Sequence, residues 1–317
     1  MAESLKIVFM GTPALAARIL ERLVTASGAN FRLVGVVTRA DQPRGRGLGT
    51  EPSEVGALAA RRGIPTLKPV KIRTPEFLSE LKAFAPDLLV AAAYGRILPD
   101  SILSVPRIAP INVHASLLPR HRGATPVEGA ILAGDAETGV TIMRIVARMD
   151  AGPMYLQRRI SIESSDTQGT LKEKLAELGA DAMLEAIDLA ARGALVETPQ
   201  DETLATYTAQ VEKKDAVIDW TAGAVHIERM TRAYDPWPVA RTRLGADEVL
   251  IWRAAVEDPG SSGHAPGTIV SVKPNPVVQC GTGQIRLIEV QGAGRKRMSA
   301  ADFLRGKRVE AGARFGT

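Results

Sequence analysis

The chain holds one cysteine, Cys280, in 317 residues. A lone thiol has no intrachain partner and no soft ligand beside it, so a disulfide scaffold and a thiolate metal centre are excluded and a reducing cytoplasm is expected. Aromatic residues make up only 4% of the chain. The three tryptophans, Trp220, Trp237 and Trp252, are therefore expected in the core and at a domain junction rather than stacked on bases. Long apolar runs are missing as well: the longest, from Leu88 to Leu98, is broken by Gly95 and Arg96 and falls short of the ~18–20 residues of a membrane span. The opening MAESLKIVFMGTP carries no cationic stretch, so no export signal is expected. Charge of one sign is in slight excess only, at +5, too little to name a polyanionic partner. Repeats of fixed period and low-complexity tracts are absent. What remains, at 45% hydrophobic and 24% charged, suits one large or two ordinary globular domains and excludes intrinsic disorder.

Phosphate-binding glycines are also scarce where they would matter. The first turn, MGTPALAA, has Gly11 alone where a dinucleotide fingerprint needs three, and Pro13 removes an N–H from the helix start. A plain tight turn is the expectation there.

The short apolar run LKIVFM, followed by the helical pattern PALAARILERLVTA, reads as a buried strand and a helix. The unit recurs through strands in 31–38, 64–67, 87–94 and 111–116, with helices between them and another beginning at Pro126 after Thr125. Strand-like runs at 139–149 and 153–162 and a long amphipathic helix over 170–192 complete it. This alternation predicts an α/β domain, a Rossmann-like, doubly wound, mainly parallel sheet, over residues 1–193. Residues 194–208 lose periodicity and read as a linker. From 209 to 317, after a helix at 222–233, short runs such as EVLIWRAAV, GTIVSV and QIRLIEV between turn residues predict a small C-terminal β-barrel, OB-like in type.

The chemistry concentrates in INVHASLLPRHRGATP, residues 111–126. Asn112 and His114 stand two apart at the C-terminal end of a strand, so both point to one side, where open α/β sheets bind ligands. An imidazole that titrates near neutrality beside an amide donor suits acyl-type transfer: one moves a proton, the other steadies an oxyanion. On spacing alone, a core histidine beside a turn-capping amide is the better fit, and Asp150 in RMDAGPM is ordinary turn chemistry.

Together, NVHASLLPRHRGATP, the preceding AAYGRILP and the following MDAGPM make the chain resemble the folate-dependent formyltransferases. In that family an Asn and a His two apart, and an Asp in a later D-x-G turn, form the catalytic trio; they match Asn112, His114 and Asp150. The resemblance implies 10-formyltetrahydrofolate as formyl donor, with no metal. It places the folate against Tyr94, Gly95, Arg96, Ile97 and Leu98 and against Ser116, Leu117, Leu118 and Pro119. It implies that Asn112 stabilises the oxyanion while His114, steered by Asp150, handles the proton. It extends nearly end to end with the members that act on initiator methionyl-tRNA, through FMGTP, TRADQPRGRG, KKDAVIDW, AYDPWP and the appended second domain, and so implies a cytoplasmic, monomeric enzyme with a tRNA partner and no membrane.

For that partner, the loop RADQPRGRGLGT offers three arginines and three glycines; the resemblance assigns the acceptor end of the tRNA to Arg46, with Arg44 beside it. The chain departs from the family just after: where members usually continue with one or two basic residues and a P-S-P-V-K-like segment, it reads LGTEPSEVG, with Glu51 and Glu54 in the region. Residues 273–317 carry nine Lys and Arg against three acids, a net +6, so the rest of the chain sums to −1. GRKRM, with Arg295, Lys296 and Arg297, and RGKR after it thus read as a phosphate-facing patch. Competing readings are a formyltransferase for a small amine such as an amino-sugar nucleotide or glycinamide ribonucleotide, a non-catalytic nucleic-acid-binding protein, and, least favoured by its glycines, a dinucleotide-dependent dehydrogenase.

Overall fold

The computed structural model of the chain describes residues 4–43, 50–258, 260 and 263–316. Among them, β1 (Leu5–Gly11), β2 (Phe31–Val37), β3 (Thr66–Leu67), β4 (Leu88–Ala92), β5 (Ala109–His114), β6 (Glu137–Arg144) and β7 (Met154–Ser161) form one sheet in the order β7-β6-β5-β4-β1-β2-β3. The pairs from β5 to β3 are parallel, and β6 and β7 add two antiparallel pairings at one edge. The mainly parallel sheet expected from the alternation of elements is thus present. The central strands β1 and β4 are apolar and almost wholly buried, β4 at every residue, whereas the edge strand β7 carries Gln157, Arg158 and Arg159 and has no fully buried residue.

Local chemistry sets the helix starts. Ser53 caps α2 (Glu54–Arg61) by accepting from the Gly56 amide, and Thr74 caps α3 (Pro75–Ala83) with proline at the first position. At the first turn, a Cβ on Gly11 would lie 2.7 Å from the Ala16 Cβ and 3.0 Å from the Ala92 carbonyl oxygen. The glycine is therefore explained by close helix–strand packing. At the centre of the sheet Phe9 is wholly buried. Phe9→Ala is expected to cost about 3–5 kcal/mol of stability, read as a lower denaturant midpoint with an unchanged slope.

By its internal contacts the chain divides into two compact units: residues 1–126, 137–161 and 172–209, and residues 127–136, 162–171 and 210–317. Residues 194–208, expected as a linker, are built into the first unit. Thr198 exchanges backbone hydrogen bonds with Met154, and Tyr207–Thr208 pairs in parallel with Arg122–Gly123. Polar composition hid this, because those contacts are made by the backbone and by side chains that look like surface residues.

In the second unit, β8 (Ala240–Leu244), β9 (Asp247–Asp258), β10 (Ile269–Ser271), β11 (Val277–Gln279) and β12 (Gln284–Gly292) form an antiparallel sheet in the order β10-β11-β12-β9-β8, extended by Phe315–Gly316. It curls into a half-barrel whose edges meet at one bridge, Thr268 to Arg314. Trp220 is buried, stacks on Phe315 at 5.6 Å and donates to Thr242. Trp237 departs from the expectation of a core role and is half exposed. Cys280 is buried, which pushes its thiol up to about 12. No helix among the described residues is long and apolar enough to cross a membrane.

Candidate active site

The strand order reverses at β1, with β2 on one side and β4 on the other, and a ligand crevice opens outside the carboxyl ends of strands at such a point. Here the carboxyl end of β4 leads into residues 93–98 and that of β5 ends on His114.

Asn112 and His114 alternate with buried Val113, so both side chains leave the same face of β5. The Asn112 side chain is half-buried and makes no hydrogen bond to another described residue. Its amide is free to donate to a ligand. The His114 ring is buried, with Nε2 2.9 Å from the His121 carbonyl oxygen. A carbonyl only accepts, so Nε2 carries the proton and Nδ1 is the nitrogen that gains or loses one. Nδ1 faces Asp150 Oδ2 at 3.7 Å, too far for a direct hydrogen bond. The same Oδ2 accepts from the Gly123 amide at 2.8 Å. Asp150 sits at a φ of 49°, a left-handed conformation that a non-glycine residue holds only when its surroundings fix it.

The segment after β4 carries Tyr94, Gly95, Arg96, Ile97 and Leu98. Among the described residues, the backbone groups of residues 95–98 make no backbone hydrogen bonds, which leaves a run of donors and acceptors for a flat heterocycle. Tyr94 and Leu98 are buried in the apolar cluster around Met10, Leu89 and Ile102, and Ile97 is exposed. The Tyr94 hydroxyl has no partner among the described residues, and burial raises its pKa, so it stays neutral. Arg96 is turned aside to the Val70 carbonyl.

The second group, Ser116 to Pro119, is held rigidly against β6 and β7. Thr141 Oγ1 donates to the Ser116 carbonyl at 2.7 Å and accepts from the Leu118 amide at 3.1 Å. Gln157 donates to the Leu118 carbonyl at 2.9 Å. The Ser116 hydroxyl is buried and committed to the Arg120 carbonyl, so any ligand contact there falls to the backbone or to Leu117 and Pro119. Thr141 and Gln157 were not legible as site residues, because alternation marks only where they lie along a strand.

Another group that sequence reasoning missed surrounds Arg122, whose side chain is fully buried. It donates to Gln200 Oε1, to both carboxylate oxygens of Glu202 and to the Tyr207 hydroxyl. Arg148 shares Glu202 at 2.6 Å. The Arg122 hydrogen bond, followed by that of Arg148, holds the Glu202 carboxyl below its ordinary range.

Of the residues expected to meet RNA, Arg44 and Arg46 lie outside the described residues. Arg295, Lys296 and Arg297 are exposed, and the Arg297 guanidinium lies 3.1 Å over the Trp252 ring. The basic end is less free than its charge suggests, since Arg305 pairs with Asp302, Lys307 with Asp247 and Arg286 with Glu257.

A family model described as formyl transferase matches residues 5–187, and one described as formyl transferase, C-terminal domain, matches residues 210–308. The chain is 46% identical to the methionyl-tRNA formyltransferase of Roseiflexus sp. (strain RS-1), over 98% of this chain and 95% of that one. It is 46% identical to that of Methylococcus capsulatus, over 99% and 100%. Among solved structures it shares its fold with an N-formyltransferase from Helicobacter canadensis in complex with folinic acid and dTDP-3-aminofucose. There the TM-score is 0.68 at 17% identity, covering 89% of this chain and 98% of that one. HypX from Aquifex aeolicus in complex with tetrahydrofolic acid gives a TM-score of 0.61 at 18% identity, over 95% and 47%. With one family model over more than half its length and relatives of near-equal length matched from end to end, the chain belongs to the formyl transferase family.

Proposed function

We propose that the chain transfers the formyl group of 10-formyltetrahydrofolate to the free amino group of initiator methionyl-tRNA. The observation that carries this reading is identity that runs through both domains with methionyl-tRNA formyltransferases, whereas a small amine has no need of a basic second domain. Residues 1–193 would then hold the reaction and residues 209–317 the RNA. The reaction would run in the cytoplasm with the chain acting as a monomer.

An α-amino group has a pKa of about 7.7–8.0, so most of it is protonated at pH 7 and must lose a proton before it attacks. His114 takes that proton at Nδ1, the ring nitrogen its hydrogen bond to His121 leaves available, and Asp150 steadies the resulting charge. The neutral amine adds to the formyl carbon. Asn112 donates its amide to the oxygen that becomes negative; as the carbonyl re-forms, His114 gives its proton to the leaving folate nitrogen and then takes the second proton from the nitrogen made cationic by addition, which passes to solvent. For the folate, the backbone of residues 95–98, which pairs with no backbone group among the described residues, supplies the donors and acceptors a pterin edge needs, with Tyr94 and Leu98 backing it. The pinned segment with Leu117 and Pro119 follows directly from the carboxyl end of β5.

Labelled formyl donor offered to the full chain with methionyl-tRNA and, separately, with an amino-sugar nucleotide tests the choice of acceptor. Label is expected in the RNA; label in the sugar alone would replace this reading with the small-amine one. For the RNA contacts, we assign Arg44 and Arg46 to the acceptor end and Arg295, Lys296 and Arg297 to phosphates. Replacing the last three with Ala is expected to raise the KM for tRNA on the order of tenfold, leave kcat unchanged and flatten the log–log salt slope by about three, one for each phosphate that is no longer neutralised.

A further inference from the structure

We infer that Arg122 and Gln200 are positioning residues for formyl transfer: a buried clamp that fixes the distance between His114 and Asp150. The inference rests on the function proposed above.

Three consecutive residues hold the two partners. The His121 carbonyl accepts a hydrogen bond from His114 Nε2 at 2.9 Å, and the Gly123 amide donates to Asp150 Oδ2 at 2.8 Å. Between them lies Arg122, and the spacing of ring and carboxylate therefore depends on where Arg122 is anchored. Its five N–H donors make five hydrogen bonds, all to acceptors within residues 200–207. Gln200 closes the circuit. Its Oε1 accepts from the guanidinium, while its amide donates to the Asp150 carbonyl at 2.8 Å and to the Gly152 carbonyl at 2.7 Å. One side chain thus ties the anchor of His121–Gly123 to the turn that carries Asp150.

Two further observations point from support to positioning. His121 and Asp150 both hold positive φ, 57° and 49°, a conformation unfavourable for either residue and kept only where neighbours over-determine it. A Cβ on Gly123 would lie 2.2 Å from the Thr208 carbonyl oxygen, so nothing larger allows the strand 207–208 to reach it. A buried guanidinium with its partners is also a weak stabiliser in its own right, since apolar packing of the same volume does as well or better. Its geometric precision is what an apolar cluster cannot supply.

The test uses the full chain and single-turnover formyl transfer to methionyl-tRNA. Arg122→Lys keeps the charge and loses the planar fork. Gln200→Glu keeps an acceptor for the guanidinium and loses both donors to the Asp150 turn, so it carries the test if Arg122→Lys does not fold. Each is expected to lower the rate constant about 10- to 100-fold with the KM for the formyl donor within about twofold. In an Asp150→Asn background the same substitutions are expected to cost less than about threefold, because their effect passes through Asp150. A wild-type rate in Gln200→Glu, or losses that multiply undiminished in the Asp150→Asn background, would overturn the clamp while leaving the function standing. No transfer by the unmodified chain would sink both.

Discussion

His114→Ala is expected to slow formyl transfer by about 10²–10⁴-fold, the usual contribution of one positioned proton-transfer group. The reason lies in the ring's surroundings. Its Nε2–H donates to the His121 carbonyl, so the nitrogen left to exchange a proton is Nδ1, which faces Asp150 across 3.7 Å. Without the ring, the ammonium of the acceptor must lose its proton to water before attack. Binding of either substrate does not depend on that step, so KM for tRNA and for the formyl donor should stay within about twofold. Rapid-quench measurement at saturating substrates separates the two. A rate constant within about threefold of the unmodified chain would remove His114 from the chemistry and return it to a core role beside its carbonyl partner.

The second large effect is expected at Asn112. Its amide makes no hydrogen bond to any described residue, so truncation leaves no protein group unpaired and should change stability by less than about 0.5 kcal/mol. Asn112→Ala nonetheless removes a donor aimed at developing negative charge. A loss of about 10²–10³ in kcat follows, about 2.7–4 kcal/mol of barrier. Because that interaction strengthens only in the transition state, kcat and kcat/KM should fall together. A rise in KM at constant kcat would instead make Asn112 a ground-state binding residue.

Period-two alternation places Asn112 and His114 on one face of a strand that ends where the sheet ends, and the structure has them there, but the pattern alone gave neither a role; that came from the resemblance carried by the surrounding residues. Asp150 needed more, since nothing in RMDAGPM separates a site acid from a turn acid; its φ of 49°, the Gly123 amide and its place facing His114 Nδ1 distinguish it. Arg122 was visible as a residue but not as an anchor. A charged side chain reads as surface, and its complete burial depends on partners nearly eighty residues away in sequence. For the same reason residues 194–208 looked like a tether. In the first domain strand and helix periodicity placed each sheet strand well. The sheet of the second was foreseen from turn spacing, while its half-barrel closure at Thr268 and Arg314 depends on a long-range bridge no local pattern carries.

The central claim is most directly tested by giving the full chain labelled 10-formyltetrahydrofolate and charged initiator tRNA, then releasing and identifying the amino acid. The account predicts N-formylmethionine in amounts equal to the donor consumed, with charged elongator tRNA modified far more slowly. Consumption of the donor without formylated methionine, or no transfer to the charged RNA at all, would contradict it.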